Sequence, residues 1–201
     1  VFAPRRKHEP EPWSRGKLRW ARRAVDTVVR EAQHVRESGS GELPIVSYVP
    51  APLDDPGQTP FIAHDTRKST HHPLRHSVLN VIRNVADHRP PPASPPHNAT
   101  PTPAPIPTPS PLPLPTPPSP QTPRNGQSYL LTGHTLFTTH EPCIMCAMAL
   151  LHSRVKEVVY VRTMGGTGGC GGAACVPRLE GVNHRYNVLR WTGGGGGGAG
   201  S

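Results

Sequence analysis

Seventeen of the chain's 28 prolines lie between Pro90 and Pro123, and that run decides how much of the 201 residues can fold. Each proline removes a backbone donor and fixes φ, so a stretch this dense can neither join a sheet nor continue a helix. Its Pro-Thr-Pro and Pro-Leu-Pro repeats suit an extended polyproline II coil, which could serve as a ligand for SH3-type domains or be a plain surface insertion. The last nine residues, Gly193–Ser201, are nearly all glycine. Neither stretch can bury enough apolar surface to offset the entropy of ordering it. The expected organisation is an extended lead-in segment at 1–16 and one domain built from two pieces, 17–88 and 125–191. A disordered Pro-rich insertion separates the pieces at 89–124, and a Gly-rich tail follows at 192–201. Because the chain starts at Val1, a fragment of a longer protein is the expectation.

From Lys17 to Glu37 the apolar residues Leu18, Ala21, Val25, Val28, Val29 and Ala32 recur at three- and four-residue spacing, which predicts an amphipathic helix. Arg19, Arg22, Arg23 and Arg30 fall largely on its other side, as a solvated face or as a track for phosphates. Ser38–Gly41 ends that helix. Residues 44–49 (PIVSYV) then read as a buried strand, and Pro60–Thr66 as a second. Leu79, Ile82, Val85 and Ala86 form a helical stripe just after His76. Structure resumes at Tyr129, with a strand at Leu136–Thr139, an apolar helix at Cys143–Arg154 and a β-branched strand at Glu157–Arg162. A glycine-rich loop and a last ordered piece, Asn183–Trp191, close the domain. Strands alternating with helices in this order predict a layered α/β sandwich around one sheet.

Lys and Arg outnumber Asp and Glu by 22 to 13, which suits a polyanionic partner or a solvated basic surface. No apolar run reaches the eighteen or so residues that a membrane-spanning helix needs, and no secretory signal pattern is visible. Four cysteines split into Cys143-x-x-Cys146 and the pair Cys170 and Cys175. The first pair stands one helical turn apart after Pro142, so both sulfurs can face one point. The positive end of the helix dipole favours their thiolates. Two thiolates and an imidazole suit zinc, and His76, at the start of the earlier helix, is the best third ligand. A thioredoxin-like redox pair is disfavoured because no βαβ unit precedes the cysteines in the expected way. Cys170 and Cys175 sit in the glycine loop without an obvious partner and read as incidental.

His76, Pro142, Cys143 and Cys146 resemble the H-x-E…P-C-x-x-C signature of the cytidine-deaminase-like zinc deaminases. His76 and Cys143 stand 67 positions apart, and removing the 36 residues Arg89–Arg124 leaves 31, a spacing that fits the family pattern. The departure lies in the glutamate, which in those enzymes moves protons between the zinc-bound water and the base. Here the segment is His76-Ser77-Val78, and no histidine in the chain has Glu two residues later. Glu141 precedes the Pro-Cys and reads as a residue near the positive end of the helix dipole.

The blocks 140–161 (HEPCIMCAMALLHSRVKEVVYV) and 183–191 (NHRYNVLRW) are similar to the non-catalytic subunit branch of the eukaryotic tRNA adenosine deaminases, which carries H-x-V. The resemblance covers about 17–88 and 125–191, and its C-terminal half is the specific part. It implies a three-layer α/β/α cytidine-deaminase-like fold with a mixed sheet of about five strands. It implies Zn2+ held by His76, Cys143 and Cys146, and no catalytic residue, since Val78 takes the proton-shuttle position. It further implies a heterodimer with the catalytic subunit, conversion of wobble adenosine to inosine in tRNA, and a location in nucleus and cytoplasm. Arg154, Lys156, Arg178 and Arg185 are the candidate contacts to the tRNA anticodon arm. Two other functions compete: a self-sufficient deaminase using Glu141 as its proton shuttle, and a zinc-stabilised interaction module whose working parts are the Pro-rich segment and the glycine tail.

Overall fold

The computed structural model describes residues 12–88 and 131–193. The expected insertion at 89–124, the restart at Tyr129 and most of the lead-in segment and tail lie outside the described residues.

The elements run α1 (Arg15–Glu37), β1 (Val46–Val49), β2 (Phe61–His64), α2 (Ser77–Asp87), β3 (Thr135–His140), α3 (Ile144–His152), β4 (Glu157–Arg162) and β5 (Asn187–Arg190), with a 3-10 turn at Val176–Arg178. They form one five-stranded sheet in the order β2-β1-β3-β4-β5. β1 pairs antiparallel with both β2 and β3, whereas β3, β4 and β5 are parallel, so the sheet is mixed. Residues on successive positions of a strand face opposite sides. Leu136 and Val158 therefore join one core with α2 and α3, while Phe137 and Val159 join another with α1. The molecule is three layers, α1, sheet, then α2 with α3. Among the described residues, no helix is long and apolar enough to cross a membrane.

α1 begins at Arg15, two residues before the expected Lys17, because the Ser14 hydroxyl accepts the Lys17 amide and caps the first turn. Its buried face is Ala21, Ala24, Val25, Val28 and Ala32. Leu18 and Val29, expected on that face, are 46% and 45% exposed. Small residues let the helix lie close over Phe137 of β3, whose ring meets that of the helix's own Trp20 edge to face at 5.2 Å. On α2 the buried stripe is Val78, Val81, Ile82 and Val85, while the expected Leu79 and Ala86 sit at its margin. β3 is buried on both faces as far as Thr139, which explains its run of uncharged residues.

Candidate metal centre

Two helix starts converge at the ends of neighbouring strands. His76 is the residue immediately before α2 and Cys143 the residue immediately before α3. His76 Nδ1 lies 3.8 Å from Cys143 Sγ and 3.6 Å from Cys146 Sγ. One ligand atom from each of the three residues lies within 4.8 Å of the others, and no fourth His, Cys, Asp or Glu among the described residues joins them. Soft sulfur and imidazole donors converging at this separation fit a tetrahedral metal ion with one position left open.

His76 is placed by a buried hydroxyl chain. Ser77 Oγ is 2.9 Å from Ser47 Oγ on β1, which reaches Thr138 Oγ1 on β3 at 3.3 Å. Asn80, one turn into α2, donates to the His64 carbonyl, Thr66 Oγ1 and the Arg75 carbonyl, so the segment leading to His76 is pinned to the end of β2. Val78, two residues after the ligand, is 3% exposed and belongs to the core shared by α2 and α3.

Cys143 is placed by a different device. Glu141 is 3% exposed, and its carboxylate accepts the amides of Met164, Cys170 and Gly172 at 2.9, 2.9 and 2.8 Å. Two further backbone bonds, Gly169 N to Pro142 O at 2.7 Å and Ile144 N to Thr167 O at 3.2 Å, stitch the same loop to the start of α3. Glycine is required for this closeness. A Cβ on Gly168 would collide with the Glu141 carboxyl group, and one on Gly169 would come within 2.8 Å of Ala147 Cβ and Ile144 Cα. Glu141 stands at the entry to α3, and its carboxylate is in addition clamped by the loop. A proton shuttle through Glu141 loses its support for the same reason, since a carboxylate holding three amides in a buried site is a structural anchor. Nothing local in the sequence points to this role, because the three donors lie 23 to 31 residues further on.

The two thiols are electrostatically unequal. The Cys143 thiol is lowered to about 5, chiefly by its hydrogen bond with Cys146, with burial opposing and further help from backbone donors and His76. Cys146 moves the opposite way, raised by that same bond and by burial. The two shifts run in opposite directions because the thiols share one hydrogen bond, which favours the thiolate at Cys143 and the thiol at Cys146.

The four basic candidates do not gather at this centre. Arg154 occupies the turn after α3 with φ of 56°, and Lys156 precedes β4, at the opposite ends of the parallel strands from Cys143. There Lys156 shares a cleft of about 310 Å3 with Lys17, Trp20 and His134. Arg178 lies in the 3-10 turn, and Arg185 is exposed, donating to the Leu179 carbonyl at 3.1 Å.

A mixed sheet between helix layers, with an imidazole and two thiols converging where two helices begin, defines an α/β/α domain with a candidate metal centre. The chain belongs to the cytidine and deoxycytidylate deaminase family, whose zinc-binding region matches residues 19–162. It is 38% identical over 73 residues to the tRNA-specific adenosine deaminase subunit TAD3 of Saccharomyces cerevisiae, covering 34% of this chain and 23% of that one. It is 31% identical over 158 residues to the probable inactive tRNA-specific adenosine deaminase-like protein 3 of Danio rerio, covering 78% of this chain and 44% of that one. The chain thus spans less than half the length of these curated relatives. A solved structure from a study of adenosine-to-inosine editing by tRNA deaminases at the wobble position shares the fold. Its TM-score is 0.58 at 17% identity, over 85% of this chain and 99% of that one.

Proposed function

We propose that this chain is the non-catalytic, zinc-holding subunit of a heterodimeric tRNA adenosine deaminase that converts wobble adenosine to inosine. The observation that carries the reading is an intact ligand set beside a missing proton carrier. His76, Cys143 and Cys146 converge, while Val78 sits packed in the apolar core. An isopropyl group can neither accept nor deliver a proton, so the chemistry falls to a partner that retains the glutamate. The relatives' names, one a subunit and one inactive, support the same division of labour.

When bound, zinc would tie the starts of α2 and α3 together and stabilise the fold. His76 supplies Nδ1, and Cys143 and Cys146 supply thiolates. The Glu141 clamp and the Ser77–Ser47–Thr138 hydroxyls would hold the two helix starts in register for that metal. The proposed partners are the catalytic deaminase subunit and the tRNA anticodon arm, in nucleus and cytoplasm. Arg154 and Lys156 would meet RNA at the end of the domain away from the metal, with Arg178 and Arg185 as further contacts.

Co-expression with a catalytic subunit tests the proposal. The pair is expected to form inosine on tRNA, the catalytic subunit alone to be much weaker, and this chain alone, loaded with about one zinc, to be inactive. Robust deamination by this chain without a partner would overturn it.

A further inference from the structure

Cys170 and Cys175 have no part in the metal centre, yet the backbone places them as a pair. Gly171 N donates to Ala174 O at 2.8 Å, and Val176 N donates to Gly169 O at 2.9 Å. These two bonds flank positions 170 and 175 without using either residue's own amide or carbonyl. The cysteines therefore face each other as a non-hydrogen-bonded antiparallel pair across a four-residue loop. In such a pair the Cα atoms stand about 4.5 Å apart and both side chains leave on the same side of the ribbon. A disulfide needs Cα atoms roughly 4.4 to 6.8 Å apart, so the backbone is within range without rearrangement. Both thiols are free. Cys170 Sγ lies 3.8 Å from Tyr186 Oη, and Cys175 Sγ is turned back toward the Cys170 carbonyl at 3.9 Å. A side-chain rotation at Cys175 is the main movement needed for the sulfurs to meet.

We propose that Cys170 and Cys175 form a redox site, a dithiol that closes to a disulfide by exchange with a low-molecular-weight disulfide of the oxidised glutathione class. Half-buried Cys175 is the group a reagent can reach, whereas Cys170 is buried. The Cys175 thiolate, its proton released to solvent, attacks the reagent's S–S bond. A mixed disulfide forms and one reagent thiolate leaves. Cys170 then gives up its proton and attacks the Cys175 sulfur, expelling the second reagent thiolate. Two protein thiols are oxidised, one reagent disulfide is reduced to two thiols, and no other electron carrier is needed. Burial raises the Cys170 thiol to about 12, which lowers its thiolate fraction, so its attack relies on the mixed disulfide at Cys175 being held directly opposite.

The consequence follows from where the hairpin is anchored. The Cys170 and Gly172 amides both donate to Glu141, and the Gly169 amide donates to Pro142, the residue before the ligand Cys143. Closing the hairpin removes freedom from the segment that clamps the start of α3. The oxidised form is expected to hold that clamp more tightly. This inference does not depend on the proposed function.

The test uses the full chain loaded with zinc and treated with oxidised glutathione. Zinc coordination shields Cys143 and Cys146, and peptide mapping distinguishes the two pairs. The expected product has lost two hydrogens, retains its zinc, carries a Cys170–Cys175 linkage and exchanges its Gly171–Ala174 amides at least about tenfold more slowly. Cys170→Ala is expected to stop at a glutathionyl group on Cys175. Cys175→Ser, a substitution at the half-buried partner that spares the core, is expected to form no linkage. A wild-type chain that stays fully reduced, or stops at the mixed disulfide under the same treatment, overturns the proposal. So does a linkage that leaves amide exchange in the loop unchanged.

Discussion

The starts of α2 and α3 do the same job by different means. Each presents a candidate ligand from the residue just before its first turn, His76 in one case and Cys143 in the other. At α2 the support is a set of neutral hydrogen bonds, Ser77 with Ser47 and Ser47 in turn with Thr138, and Asn80 with three oxygens. At α3 the support is one buried carboxylate gripping a glycine loop. A hydrogen bond to a charged group is worth roughly twice a neutral one, and its loss strands several donors at once. The α3 start is therefore the stronger and the more brittle of the two, because it relies on a single side chain.

The largest effect should come from removing what joins both sites. Replacing Cys146 with Ala should abolish stoichiometric zinc uptake. With free zinc about a thousandfold above its dissociation constant, the lost stabilisation is about 4 kcal/mol, on the order of 10 °C in Tm. Elemental analysis with calorimetry checks it, and an unchanged zinc content would break the symmetry drawn between the two starts.

Next in size is Glu141→Ala, which strips a buried partner from three amides and should cost about 3 kcal/mol. Gly168→Ala forces a methyl group into the same carboxylate and should cost about 2 kcal/mol. Denaturant unfolding gives the magnitudes, and hydrogen exchange should show the loss at the α3 start and the loop but not at α2. Equal loosening of both starts would erase the contrast. Ser77→Ala removes one link of the hydroxyl chain and should cost about 1 kcal/mol, with the loosening now confined to α2.

A separate expectation, outside that ranking, is pH dependence in the metal-free chain. The folded Cys143 thiol is lowered to about 5, while an unfolded cysteine titrates near about 8.5. Between those values the unfolded chain binds the proton that the folded chain has released, so stability rises with pH across that window and is lost as pH falls through 5. The raised Cys146 thiol acts with the opposite sign, and only above the ordinary thiol range. Unfolding of the metal-free chain and of Cys143→Ser, followed from pH 5 to 8, should show a steeper rise in the former. Parallel curves would mean that the two thiols do not share a proton.

Much of this was readable from residue order. The spacing of Cys143 and Cys146 after Pro142 is a local fact, because one helical turn sets where both sulfurs point. The β-branched run at Glu157–Arg162 announced β4 as a strand for a similarly local reason. The face of α1 was read less well. Leu18 and Val29 look like core residues by hydropathy, yet small Ala24 is buried in their place because closeness to Phe137 and Val159 of the sheet rewards shape over size.

What lay beyond the sequence was whatever depends on partners distant along the chain. Glu141 looks like any residue ahead of a helix until Met164, Cys170 and Gly172 fold back onto its carboxylate. Cys170 and Cys175 look incidental until two flanking hydrogen bonds put them opposite one another. Residue order alone determined which atoms can bind a metal and that Val78 offers no proton, because those are properties of side-chain chemistry. Only the tertiary structure decided how the ligands are held and which carboxylate is committed, because buried hydrogen bonds form wherever the folded chain brings donor and acceptor together.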